Sequence, residues 1–321
     1  MPRGEPSVVL LISLSAAALG GLVGYAAAAG GWRPVLSGVF LALATFVASL
    51  VWTGLGTCRR SSATDTIGWR LARAGILAAL RPAMRAVLSA RETPGPDGSA
   101  RLLPHEIDAL SVRIEPMAVN LREHAALAEF PSVGNRLMVE LAVFTAAAYR
   151  VLLDAGWTAE AARSAVADAG WLLYARMLAL SSLPFRLTTR DPAKRLRRTI
   201  RTLLRFPFGA PGAPGYEVRV SEDASGISTH FTHCPPQTFV RTLILRDDRG
   251  DLEAFRQSWC RYDWPGADLI AGDGRRGHYS RPHTLSHGDL VCDMCWTGQP
   301  FSETKDRTIT DCGATERKSP K

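Results

Sequence analysis

The sequence predicts an α+β protein on three observations: two long uncharged apolar segments at the N-terminus, a succession of helical periodicities from 67 to 205, and short strand patterns interleaved with helices between 216 and 297. The expected architecture is an N-terminal two-helix transmembrane hairpin, then a helical region, then a small, mostly antiparallel sheet with helices. Read as domains, residues 1–60 form the hairpin, 61–100 a juxtamembrane helix and linker, 101–300 the α+β domain and 301–321 a polar tail.

Ser7–Gly30 and Val35–Gly56 carry no charge and are long enough to cross a hydrocarbon core of about 30 Å. The intervening Gly31-Trp32-Arg33-Pro34 supplies helix breakers and an interfacial Trp. Arg59, Arg60, Arg70, Arg73, Arg81 and Arg85 follow the second segment against a lone Asp65, so the positive-inside rule implies a multi-pass cell-membrane protein with its main domain in the cytoplasm. Small residues at Ala26–Ala29 offer a competing reading of the first segment as a signal peptide; the second would then stop transfer.

Ile67–Ser89 reads as a helix and the Pro- and Gly-rich Glu92–Ala100 as a linker or long loop. Helices are expected near 104–128, 134–155 and 158–181, the last opened by Thr158 as N-cap with Glu160 in its first turn. The apolar run Leu137–Leu153 contains Glu140 and Arg150, which marks a buried core helix rather than a third span. From Arg186 to Arg205 cations flank the stripe Leu196, Ile200, Leu203 and Leu204, the pattern of a packed helix with a solvated face or of a helix lying on anionic lipid. Strands are expected at 216–221, 227–232 and 290–297, helices at 237–245 and 252–264, and the last two dozen residues read as a frayed polar end.

The formal net charge of +8 is not accompanied by an RNP sequence, paired zinc knuckles or an aromatic-basic stripe, which argues against nucleic acid and for membrane lipid as a partner. Six cysteines, at 58, 234, 260, 292, 295 and 312, are too dispersed for a disulfide scaffold, and reduced thiols are expected. Cys292 and Cys295 form one Cys-x-x-Cys, but on a strand their side chains point to opposite faces, so neither a metal nor another cofactor is assigned.

Three segments concentrate reactive residues: FTHCPPQTF, SWCRYDW and RPHTLSHGDLVCDMCW, all within 230–297. Cys234 precedes Pro235-Pro236 at a helix start, where backbone N–H groups favour thiolate. Cys260 and Asp263 lie three apart, on one face if the segment is helical. His283 and His287 stand near Cys292 as candidate general bases, while each thiol is equally consistent with a packing role.

In order and spacing these segments resemble the L-2-amino-thiazoline-4-carboxylic acid hydrolase family: Cys234-Pro235 before a helix, Cys260 and Asp263 in a later one, then Thr284, Leu285, Gly288 and Cys292-Asp293. Met294-Cys295 and the Arg-rich 272–281 stretch depart from that pattern. The resemblance implies hydrolysis of a cyclic amidine or thiazoline-type C–N/C–S centre in a small-molecule substrate. Its candidate catalytic residues are Cys234, Cys260, Asp263, Cys292 and Asp293, with His283, Thr284 and His287 contacting substrate. The alternative is a non-catalytic membrane adaptor or ligand-binding protein on the same fold. Oligomeric state is not specified by the sequence.

Overall fold

A computed structural model describes residues 67–95 and 98–301. The two apolar segments at 7–30 and 35–56 and the polar tail beyond 301 lie outside the described residues. Among the described residues no helix is long and apolar enough to cross a membrane, and the two segments on which the expectation of a multi-pass membrane protein rests fall outside them.

The described chain is α+β, with eight α-helices and a four-stranded antiparallel sheet. The helices are α1 (Ile67–Ser89), α2 (Pro104–Arg122), α3 (Val133–Asp154), α4 (Ala159–Thr188), α5 (Pro192–Arg205), α6 (Pro235–Ile244), α7 (Asp251–Gln257) and α8 (Asp263–Ala271). A short hairpin, β1 (Glu92–Gly95) with β2 (Gly98–Arg101), stands where a linker was expected. In the main sheet β3 (Glu217–Glu222), β4 (Gly226–His233), β5 (Tyr279–Ser280) and β6 (Cys292–Thr297) are ordered β3-β4-β6-β5.

Helix α3 is the axis of the helical half. Ser132 caps it by accepting from Asn135 N (3.1 Å), and its side chains are buried almost all round, as an internal helix requires. Its two charges are satisfied across the core. Glu140 receives Arg73 Nε of α1 (2.7 Å) and Arg122 Nε of α2 (3.0 Å). Arg150 donates from Nε and Nη2 to Asp251 of α7 (3.0 and 2.7 Å) and from Nη2 to the Asp247 carbonyl (3.0 Å). These pairs fix which helices surround α3, because a buried charge left without its partner is costly. Leu77, Leu80, Met84 and Leu88 place α1 inside the same core.

The apolar stripe of α5 is filled internally. Leu196, Ile200 and Leu203 pack with Ile227, Trp296 and Ile270 between sheet and α8, leaving no apolar face for lipid. Three of its cations are engaged too: Arg195 with the Ala271 carbonyl (2.7 Å), Arg201 with Glu222 and Arg197 with the Asp223 carbonyl.

The expected helix at 252–264 is broken. Ser258 leaves the helical region (φ −100°, ψ −94°) while its hydroxyl bonds back to the Ala254 carbonyl (2.7 Å), and a turn reaches α8 at Asp263. Trp259 and Tyr262 of that turn join Trp171 and Tyr174 of α4 in an aromatic cluster. Gly170 leaves room for Tyr262 Oη, which donates to the Ala167 carbonyl (2.6 Å). The break sets Cys260 in the turn and Asp263 at the head of α8.

Asp251→Ala should lower unfolding stability by about 3–5 kcal/mol, since it strands the buried Arg150 charge. Denaturant unfolding checks this, and the double replacement Arg150→Met with Asp251→Leu should recover much of the loss. A single variant as stable as the parent would show that the pair does not organise the core.

Candidate functional site

Between the sheet and the helices lies a cavity of about 110 Å³. By the volume one water occupies in the liquid it admits on the order of four water-sized groups. Strand alternation aims Phe231 of β4, and Cys292, Met294 and Trp296 of β6, at this space, while α4, α5 and α8 supply Tyr174, Leu178, Leu203, Ile270 and other apolar walls. Polar groups gather in one part of the lining: Cys234 and Gln237 at the start of α6, Cys260 and Asp263 around the α7–α8 turn, and Arg281, Thr284, Ser286 and Cys292 before and on β6. Four residues from three separate segments, Cys234, Cys260, Asp263 and Cys292, thus share one cavity, with Thr284 beside them.

Asp263 has two partners. Tyr279 Oη donates to its Oδ2 (3.2 Å), and Arg281 Nη1 approaches the same oxygen at 3.2 Å. Arg281 is 5% exposed, holds the Cys260 carbonyl through Nη2 (2.7 Å) and stacks over Trp264 at 4.8 Å from the ring centre. Its Nε is buried without a hydrogen-bond partner among the described residues. Burial raises Asp263 to about 6 despite the opposing influence of Arg281 and Tyr279, so desolvation is the larger effect. A carboxyl at that value exchanges protons near neutrality, the property needed of a general acid or base.

A chain of weak donors joins two thiols. Cys260 Sγ lies 3.5 Å from Ser286 Oγ, which is 3.0 Å from Thr284 Oγ1, itself 3.3 Å from Cys292 Sγ. The Leu285 N–H also donates to Cys292 Sγ (3.2 Å). Thr284 caps the short turn Leu285–His287, and Gly288 ends it in the left-handed region (φ +98°), where glycine carries no steric penalty. Burial raises the three free thiols among the described residues, Cys260 to about 11 and Cys234 well above the usual range. For Cys234 this corrects the expectation of a thiolate: the Gln237 N–H at the start of α6 does favour the charged form, but desolvation outweighs it.

Three expected site residues fall elsewhere. Asp293 follows Cys292 on β6 and so faces the opposite side of the sheet, where its carboxylate accepts from His283 N and meets His283 Nδ1, both at 2.7 Å. That hydrogen bond raises the His283 pKa, yet the pair is outside the cavity. His287 lies beside Arg256 in an outer groove of about 770 Å³ walled by Trp171, Trp264 and Arg261. Arg281 and Thr284 line both spaces. Cys295 also faces away from Cys292 and is disulfide-bonded, unlike the reduced state expected for it.

Tyr279, Arg281, Ser286 and Gln237 are site residues the sequence reading missed. A signal for two of them exists: Tyr279 and Arg281 alternate in an extended segment just ahead of the reactive motif, so they point one way. Among the described residues no group of His, Cys, Asp and Glu is arranged to hold a metal ion. Compared with known proteins, the chain matches no family model, no curated protein and no solved structure.

The raised thiols give a direct expectation. At pH 7.5 Cys260 should react with iodoacetamide about a hundredfold more slowly than an unperturbed cysteine, because the thiolate fraction falls with the upward shift. Mass-spectrometric mapping of alkylation over time measures it. Labelling of Cys260 at the rate of a free thiol would contradict the buried environment.

Proposed function

We propose that this protein hydrolyses a small cyclic amidine of the 2-aminothiazoline type. The observation that carries the reading is the convergence, on one small apolar-walled cavity, of a carboxyl raised to about 6 with a buried guanidinium and three free thiols.

In this reading the substrate's amidine carbon sits near Asp263. Asp263, as carboxylate, takes a proton from water while the water oxygen bonds to that carbon. The C=N electron pair moves to the ring nitrogen, which takes the second water proton as the hydroxyl becomes the carbonyl of the product; the carbon–sulfur bond breaks, and the proton on Asp263 passes to the leaving sulfur. Arg281 holds the carboxylate through Nη1, and its unpartnered Nε is available to charge that develops on the substrate. Water, not thiolate, is the nucleophile, since all three thiols are held neutral. Their place is to shape the cavity around a soft ring sulfur.

One observation favours a second reading, a ligand-binding protein without turnover: the only carboxyl among these polar groups is already engaged by Tyr279 and Arg281. The two readings separate on a single assay. Incubated with 2-aminothiazoline-4-carboxylic acid, the hydrolase releases a free thiol, whereas the binding protein gives calorimetric heat and no thiol.

For the hydrolase, Asp263→Asn should reduce kcat by about 10²–10⁴-fold with the fold retained. Activity of the parent should rise with pH through about 6, as the base form accumulates. The stability trend runs the other way: the unfolded chain ionises this carboxyl near its ordinary value of about 3.9, so stability tied to the protonated form is present below that pH and lost as pH rises through about 6. Cys234→Ser should keep most activity. Full activity of Asp263→Asn would remove Asp263 from the mechanism.

A further inference from the structure

The segment that delivers Tyr279 and Arg281 to Asp263 is anchored by a histidine the catalytic reading does not use. His278 is fully buried. Its Nδ1 lies 2.8 Å from the Thr297 carbonyl oxygen and its Nε2 lies 3.1 Å from Asp273 Oδ1. A carbonyl oxygen and a carboxylate oxygen only accept hydrogen bonds, and a neutral imidazole carries a single N–H. Both contacts are hydrogen bonds only when both ring nitrogens are protonated.

We infer that His278 is a buried imidazolium that clamps the 273–281 segment between Asp273 and the end of β6, and so acts as a positioning residue for the Asp263–Arg281–Tyr279 arrangement. The inference rests on the reading of Asp263 as the centre of the site.

The surroundings support the charge. Hydrogen bonds from Arg275 and His278 bring Asp273 to about 2 although burial opposes them, so the acceptor at Nε2 is ionised. From α8, Asp268 Oδ1 accepts the backbone N–H groups of Gly277 (3.0 Å) and His278 (3.1 Å). Arg275 also binds Asp273, through Nε at 3.0 Å, and the Gly272 turn preceding it is approached by Arg195 of α5 and Arg186 of α4. On the β6 side the facing group is the Thr297 carbonyl, whose own N–H donates to the His278 carbonyl (3.0 Å). Tyr279 then pairs with Trp296 and Ser280 with Cys295, and Arg281 follows directly. Losing one ring proton breaks either the Thr297 or the Asp273 bond at the root of this short strand.

Full-length protein labelled with ¹⁵N-histidine tests the clamp. The ring signals of His278, identified by their loss in His278→Gln, should show both nitrogens protonated in the folded parent, and only one in Asp273→Asn at the same pH, since that variant keeps an acceptor oxygen but removes its charge. In His278→Gln, folded by circular dichroism, the Asp263 carboxyl carbon should titrate about one pH unit higher than in the parent, since nearby donors and positive charge had held it down. A His278 ring that is singly protonated throughout the range of a folded protein overturns the imidazolium. An Asp263 titration unchanged in His278→Gln overturns the positioning role, and the Asp273→Asn arm decides the clamp even if His278→Gln does not fold. Absence of turnover in the parent, with these titrations as expected, counts against the hydrolase reading alone.

Discussion

The contact of Arg281 with Asp263 is the constraint on which the site depends. Arg281 is nearly buried and carries a charge that needs a partner; Asp263 is the carboxylate that meets it, and the Cys260 carbonyl takes a second donor from the same guanidinium. One side chain therefore ties β5 and the loop before β6 to the α7–α8 turn. Breaking either half would leave a buried charge uncompensated, the costly way to lose an ion pair. The stack on Trp264 restricts the guanidinium plane further and places it where inner cavity and outer groove meet.

The broken helix makes this geometry possible. A continuous helix through 252–264 would carry Cys260 and Asp263 along one axis; the departure at Ser258 instead swings Trp259 into the core, where its Nε1 donates to Thr145 Oγ1 (2.9 Å), and restarts the chain at Asp263. The helical half is fastened independently, through Glu140 and Arg150 on α3, so the cavity is built against a scaffold whose own charges are already paired.

What could be read from the sequence divides along physical lines. The helices around α3 were legible because their apolar periodicity is long, and Glu140 and Arg150 correctly marked that helix as a protein core. Cys234, Cys260, Asp263, Cys292 and Thr284 were identified by residue type and do share the cavity. Asp293 was misplaced although strand parity contained the answer: the alternation that separates Cys295 from Cys292 also turns Asp293 away. Arg281 and Tyr279 sit in a glycine-punctuated segment without long periodicity, and their meeting with Asp263 depends on tertiary folding. The thiol states were misjudged because helix position is a local property whereas desolvation is set by the whole fold.

The central claim is that Asp263 is a buried carboxyl poised near neutrality and restrained by Arg281. Its most direct test is the titration of the Asp263 side-chain carbon by nuclear magnetic resonance in the full-length protein and in Arg281→Gln. The account predicts a midpoint near 6 in the parent, moving upward when the guanidinium is removed. A midpoint near 4 in the parent, or one indifferent to Arg281, would contradict it.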